Sequence, residues 1–214
     1  GSVEGNVMEI AHKTESRSPR IGENAPDFRA RSTGGEIQLS KLRGRWVIFF
    51  SHPADFTPVC STEFAELARR QSEFDALETS LLGLSVDSLY SHLAWVRAIR
   101  ETLDADVRFP IIEDPSMAIG RAYGMIDEQS ADSMAMRSTF FIDPEGIIRA
   151  ITCYPHNVGR SVDEMLRMLK ALKAVSNAQT LAPEGWREGK PLLSPPSDIA
   201  EDREDWFCRF VDAP

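Results

Sequence analysis

The run Ser51-His52-Pro53-Ala54-Asp55-Phe56-Thr57-Pro58-Val59-Cys60-Ser61-Thr62-Glu63 gathers a thiol, several hydroxyls, an imidazole and carboxylates in one short stretch. Its two prolines restrict the backbone, and Pro58 suits the first turn of a helix, which places Cys60 about one residue inside that helix. Unpaired amide hydrogens and the helix dipole favour an anion there, and the reactive form of cysteine is the thiolate. An ordinary thiol is only about 3% ionised at pH 7, so a site that favours the anion multiplies the available nucleophile. Thr57 lies three residues before Cys60, a separation that can bring its hydroxyl beside the sulfur to orient an oxygen substrate. Position alone leaves a second reading open, because a buried free cysteine often acts as a small apolar residue.

The elements that would hold this stretch follow from periodicity. Trp46-Val47-Ile48-Phe49-Phe50 is a continuous apolar run, the pattern of a strand buried on both faces. From Thr62, the residues Phe64, Leu67, Ala68, Phe74 and Leu77 recur at helical spacing, and residues 80–86 return to strand character. Leu89, Leu93, Val96 and Ile99 mark another helix face, followed by a Phe109–Ile112 segment and a short helix over 117–123. Two β-rich runs, 139–142 and 147–153, flank Asp143-Pro144-Glu145-Gly146, which suits a tight turn. Val162, Met165, Leu166, Leu169, Leu172 and Val175 form a closing helix stripe. This alternation predicts one α/β domain over residues 19–177, with helices flanking a central mixed sheet. Residues 1–18 read as a cloning remnant at Gly1-Ser2 plus a flexible lead. From Leu181 prolines accumulate and the periodicity stops, so residues 178–214 read as an extended arm. Its Trp206-Phe207 pair needs an apolar surface to dock on, in the same domain or on a partner subunit.

Bulk properties narrow the function classes. A chain of 214 residues with 42% apolar and 27% charged residues can bury a sizeable core, and no stretch has the ~18 apolar residues of a membrane span. A formal charge of -9 argues against nucleic acid as partner. Cys60, Cys153 and Cys208 are widely spaced, with no CxxC pair, which points to a reducing, cytoplasmic setting and away from a structural zinc site. A dithiol oxidoreductase would need a second cysteine near Cys60, where Thr57 and Glu63 stand at i-3 and i+3.

Pro53, Thr57 and Cys60 fit the pattern Pro-x-x-x-Thr-x-x-Cys, and with them the chain resembles the peroxiredoxins of the AhpC/TSA type. It is similar in particular to the subfamily of the mammalian one-cysteine peroxiredoxin and its archaeal two-cysteine relatives. The likeness extends from about Ile21 to Pro196 and includes Pro26-Asp27-Phe28, Phe109-Pro110-Ile111, Met136 to Phe140, Tyr154-Pro155 and Gly159-Arg160. It implies a thioredoxin-like fold and a thiol peroxidase acting on hydrogen peroxide and organic hydroperoxides, with neither cofactor nor metal. Cys60 would be the attacking thiolate, Thr57 would position the peroxide, Pro53 would shield the site from water and Arg137 would be the cation beside the sulfur. A guanidinium and helix amides can stabilise the developing negative charge without losing a proton themselves.

Other residues carry two readings each. His52 matches a histidine of the subfamily, and its plain reading is packing and hydrogen bonding beside the pocket. Glu63 either holds an arginine or is simply an acid in a helix first turn; Arg160 either joins that network or is solvated. His12, His92 and His156 share no ligand spacing and are expected in solvent or loops. Cys153 is expected as core filler. Cys208 resembles the archaeal cysteine that resolves the sulfenic acid of a neighbouring subunit; without it, an external thiol such as a thioredoxin-like protein or glutathione would serve. Homodimers, closing into rings such as decamers, are a further implication, and a chaperone-like role could accompany them. Arg43-Gly44-Arg45-Trp46-Val47 stands where the mammalian protein has a serine-containing lipase motif, so that activity is not implied here.

Overall fold

The computed structural model describes residues 17–127, 129, 132–177, 179–196 and 204–213. His12 and most of the expected lead lie outside them. Nine strands and five α-helices are described: β1 (Arg29–Ser32), β2 (Gly35–Gln38), β3 (Trp46–Ser51), α1 (Pro58–Arg69), α2 (Gln71–Ala76), β4 (Thr79–Ser85), α3 (Leu89–Leu103), β5 (Ile111–Glu113), α4 (Ala118–Ala122), β6 (Arg137–Ile142), β7 (Ile148–Tyr154), α5 (Val162–Ala174), β8 (Leu192–Leu193) and β9 (Phe210–Val211). Seven strands form one sheet in the order β2-β1-β5-β4-β3-β6-β7. β3, β4 and β5 run parallel, while β6 is antiparallel to β3 and forms a hairpin with β7. This is the expected α/β architecture, a mixed sheet with helices on both faces.

The central strands are apolar on both sides because both sides are covered. Trp46, Ile48 and Phe50 pack with residues of α1, α2, α3 and α5, whereas Val47 and Phe49 pack with Leu39, Tyr123 and Ile126 on the opposite face. β3 is buried at every position and ends at Ser51, so the chain leaves the middle of the sheet directly into the 52–57 segment.

The structure revises several expectations. The helix begins at Pro58, the first-turn position expected for that proline, but the stripe read from Thr62 to Leu77 is broken at Arg70 into α1 and α2. The β1–β2 hairpin was not visible as a strand pair. The arm is less extended than composition suggested. Leu181 bridges Leu193, β8 pairs with β9, and Trp186 is buried against Ala171 of α5 and Leu192. Trp186 Nε1 donates to Lys190 O at 2.9 Å, and Arg167 Nη1 donates to Trp186 O at 3.0 Å. Trp206 and Phe207 contact each other edge-on but remain 41% and 68% exposed, so they find no full dock on their own chain.

Candidate active site

Cys60 is the third residue of α1, deeper than the expected position by one residue, and the helix is capped by Thr57 in extended geometry with Pro58 first. Proline lacks an amide hydrogen, and the first turn leaves the Val59 and Cys60 amides without intrahelical acceptors. Helix geometry therefore supplies the donors that an anionic sulfur or oxygen needs. Cys60 is fully buried.

The cation beside the sulfur comes from the sheet. Arg137 opens β6, and its Nη1 donates to Cys60 Sγ at 3.2 Å and to Glu63 Oε1 at 2.6 Å. Its Nε and Nη2 donate to His156 O at 3.1 and 2.6 Å, which fixes the guanidinium plane. Arg160 grips the same carboxylate, with its backbone N and Nε each 2.8 Å from Glu63 Oε2 and Nη2 3.0 Å from Oε1. Its guanidinium also lies 5.2 Å from the centre of the Phe50 ring. Glu63, Arg137 and Arg160 side chains are only 2–3% exposed. Burial pushes the Glu63 carboxyl upward, but the Arg160 hydrogen bonds and charge, reinforced by Arg137, outweigh it and hold the group below its ordinary value. One carboxylate thus serves two guanidiniums and leaves net positive charge facing the sulfur.

The 52–57 segment forms the other wall. Pro53 is buried, and Thr57 Oγ1 donates to Ala54 O at 2.6 Å. With its one proton committed, the Thr57 hydroxyl can only accept from a substrate O–H. Phe56 sits at φ 59°, a left-handed conformation that costs a residue with a side chain about 1–2 kcal/mol.

His52 is fully buried against the Phe64 and Trp95 rings, and its Nε2 is 2.7 Å from Asp55 Oδ1. Burial drives it toward the neutral form against the pull of Asp55. Its Nδ1 has no hydrogen-bond partner. His92 requires a correction. It was expected in solvent or a loop, but it is fully buried within α3, with Nδ1 2.6 Å from Asp55 Oδ2 and Nε2 3.0 Å from Ile112 O. His52, Asp55 and His92 are the one group of three metal-capable side chains gathered among the described residues. The carboxylate contacts both rings directly, at separations shorter than the roughly 3.3 Å between donors around a tetrahedral zinc, so the arrangement is a hydrogen-bonded triad. His156 is exposed, as expected, but contributes its carbonyl to Arg137. Asp55 and His92 were missed because their pairing joins residues 37 apart.

Cys153 also requires correction: it is exposed on the edge strand β7 and is not core filler. It pairs with Ser138, and its sulfur meets Ser138 Oγ and Met136 Sδ. Arg137, one residue along β6, faces the opposite side of the sheet toward Cys60. The sheet therefore separates the two thiols. Cys208 is exposed on the arm, its N donating to Asp205 O.

The sequence matches the AhpC/TSA family over residues 21–151. It is 47% identical over 178 residues to peroxiredoxin 2 of Caldanaerobacter subterraneus, covering 83% of this chain and 80% of that one. It is 43% identical to peroxiredoxin 2 of Picrophilus torridus, covering 88% and 97%. Among solved structures, a yeast mitochondrial 1-Cys peroxiredoxin superposes with TM-score 0.82 at 34% identity, covering 91% of this chain and 99% of that one. A cysteine-to-serine variant of peroxiredoxin 6 from Arenicola marina gives TM-score 0.84 at 26% identity, covering 92% and 99%. A thiol at a helix start, a guanidinium on its sulfur and this breadth of likeness converge: the chain belongs to the AhpC/TSA family and is a peroxiredoxin, a thiol-dependent peroxidase.

Proposed function

We propose that Cys60 is the peroxidatic residue and that it reduces hydrogen peroxide and organic hydroperoxides. The observation that carries this reading is the 3.2 Å contact from Arg137 Nη1 to Cys60 Sγ, which gives a buried sulfur a permanent cation. The thiolate attacks the distal peroxide oxygen, a sulfur–oxygen bond forms as the oxygen–oxygen bond breaks, and alkoxide or hydroxide leaves. Cys60 becomes a sulfenic acid. Thr57 accepts from the peroxide O–H, Pro53 keeps bulk water away, and Arg137 with the helix amides stabilises the charge that develops on oxygen.

A second thiol must then displace water from the sulfenic acid to form a disulfide. Cys208 of a partner subunit is our choice. Cys153 is screened by the sheet, and Cys208 sits exposed beside Trp206 and Phe207, whose apolar rings favour docking on another copy. The yeast mitochondrial 1-Cys neighbour has its thiol resolved via glutathione and thioredoxin systems, and either carrier could supply electrons here in a reducing cytoplasm. Homodimers suffice for resolution; rings of dimers would be compatible with it. Treating reduced protein with one equivalent of peroxide tests this. A cross-linked dimer on a non-reducing gel that disappears in Cys208→Ser is the expected outcome, and a cross-link that survives Cys208→Ser, or none at all, would contradict resolution by Cys208.

A further inference from the structure

The buried pair Asp55–His92 is unused in the chemistry above, yet it lies where the 52–57 segment meets α3. Both ring nitrogens of His92 are within hydrogen-bond distance of protein oxygens, Nδ1 of the Asp55 carboxylate and Nε2 of the Ile112 carbonyl. Asp55 also receives the His52 Nε2 hydrogen and that of Ser91 Oγ at 2.9 Å, and its backbone N donates to Asp87 Oδ2 at 3.0 Å. Four of these groups, His92, Ser91, Asp87 and the Ile112 carbonyl, belong to α3, its preceding loop and β5. The next residue, Phe56, is the strained one, and it is 57% exposed. After it comes Thr57, whose hydroxyl bond to Ala54 O spans this same turn. A left-handed phenylalanine persists only where its surroundings over-determine it, and the bonds to Asp55 on its preceding residue are part of those surroundings.

We propose that His92 is a positioning residue for the peroxide step, holding through Asp55 the strained turn that sets Thr57 at the head of the Cys60 helix. It touches neither sulfur nor substrate. The inference rests on the peroxidase reading above. Loss of the His92 bond releases Asp55, lets Phe56 relax and shifts the acceptor for the peroxide O–H, while Arg137 and the helix amides still face the sulfur. Peroxide reduction should therefore suffer more than attack on an electrophile that makes no use of Thr57. A displacement of about 1 Å in such a group can lower a rate on the order of a hundredfold.

The test compares wild type, His92→Asn, Phe56→Gly and the double variant. Stopped-flow fluorescence follows oxidation by hydrogen peroxide, with Trp95 as reporter because its Nε1 donates to Ser61 Oγ of α1. Mass spectrometry follows iodoacetamide labelling of Cys60. His92→Asn should slow peroxide oxidation at least tenfold and change labelling less than threefold. In the Phe56→Gly background, where glycine takes the left-handed turn without strain, the effect of His92→Asn should shrink to threefold or less. Ser91→Ala removes one bond to Asp55 and should slow peroxide oxidation by roughly threefold; it decides the matter if His92→Asn does not fold. A His92→Asn or Ser91→Ala peroxide rate within 1.5-fold of wild type, or an equal His92→Asn loss in both backgrounds, would overturn the inference. A wild-type rate no faster than free cysteine would instead overturn the peroxidase reading beneath it.

Discussion

At the scale of single residues, the site is an electrostatic balance of two guanidiniums, one carboxylate and one sulfur in a volume closed to water. Glu63 is the pivot, and truncating one partner of a buried ion pair usually costs about 3–5 kcal/mol because the other charge is left stranded. Glu63→Gln should therefore lower stability at pH 7 by about that amount, read from urea denaturation. The sign with pH follows from its lowered carboxyl: the contribution is complete above the ordinary glutamate value of 4.5 and is lost as pH falls through the folded value beneath it. Wild type should lose stability steeply below pH 4.5, and Glu63→Gln less steeply; parallel curves would refute the role. Cys60 and Thr57 were legible from spacing because they lie three residues apart at one helix start, whereas the role of Pro53 came from the resemblance. Arg137, Glu63 and Arg160 lie up to 97 residues apart, and only the resemblance pointed to their association. His92 was misplaced although Trp95 and Ile99, at i+3 and i+7, share its buried face; the stripe was read through Leu93, which is 47% exposed, so the buried face was phased one residue off.

At the scale of elements, β3 and α1 act as barrel and nozzle: one buried strand delivers the chain to the helix that carries the sulfur. The contact that sets their spacing involves Gly83 of β4, where an added methyl carbon would lie 3.1 Å from Phe64 Cζ and 3.5 Å from Phe50 Cε2. Phe64 cannot step aside, because Phe50, Phe109, Trp95 and His52 surround its ring. We predict that Gly83→Ala costs about 1–3 kcal/mol in chemical denaturation and also slows peroxide oxidation, since Phe64 sits one helical turn beyond Cys60. Unchanged stability would show that α1 tolerates displacement. Strong elements were readable because their burial is two-sided, as in β3, or striped, as in α5. β1 and β2 escaped notice because four-residue strands of sequence RARS and GEIQ carry little apolar signal. The break between α1 and α2 escaped because Leu67 and Phe74 keep the helical period across it. Cys153 was misplaced because alternation in β7 reveals a period without revealing that this strand is the sheet edge.

At the scale of the whole molecule, the arm couples a closed catalytic core to an exposed thiol. Composition flagged the arm through its prolines, but its anchoring by Trp186 depends on a cleft beside α5 that no local pattern encodes. Trp186→Ala should free this segment, so that limited proteolysis cuts within residues 179–213 at least tenfold faster and the Cys208 cross-link forms less completely. Equal cleavage rates would mean that β8–β9 pairing alone holds the arm. The central claim is that Cys60 is the sulfur oxidised by peroxide. The direct measurement is mass spectrometry of Cys208→Ser protein treated with one equivalent of hydrogen peroxide in the presence of dimedone, which traps sulfenic acids. The account predicts one adduct per chain, on Cys60; an adduct on Cys153, or an unmodified Cys60 after the peroxide is consumed, would contradict it.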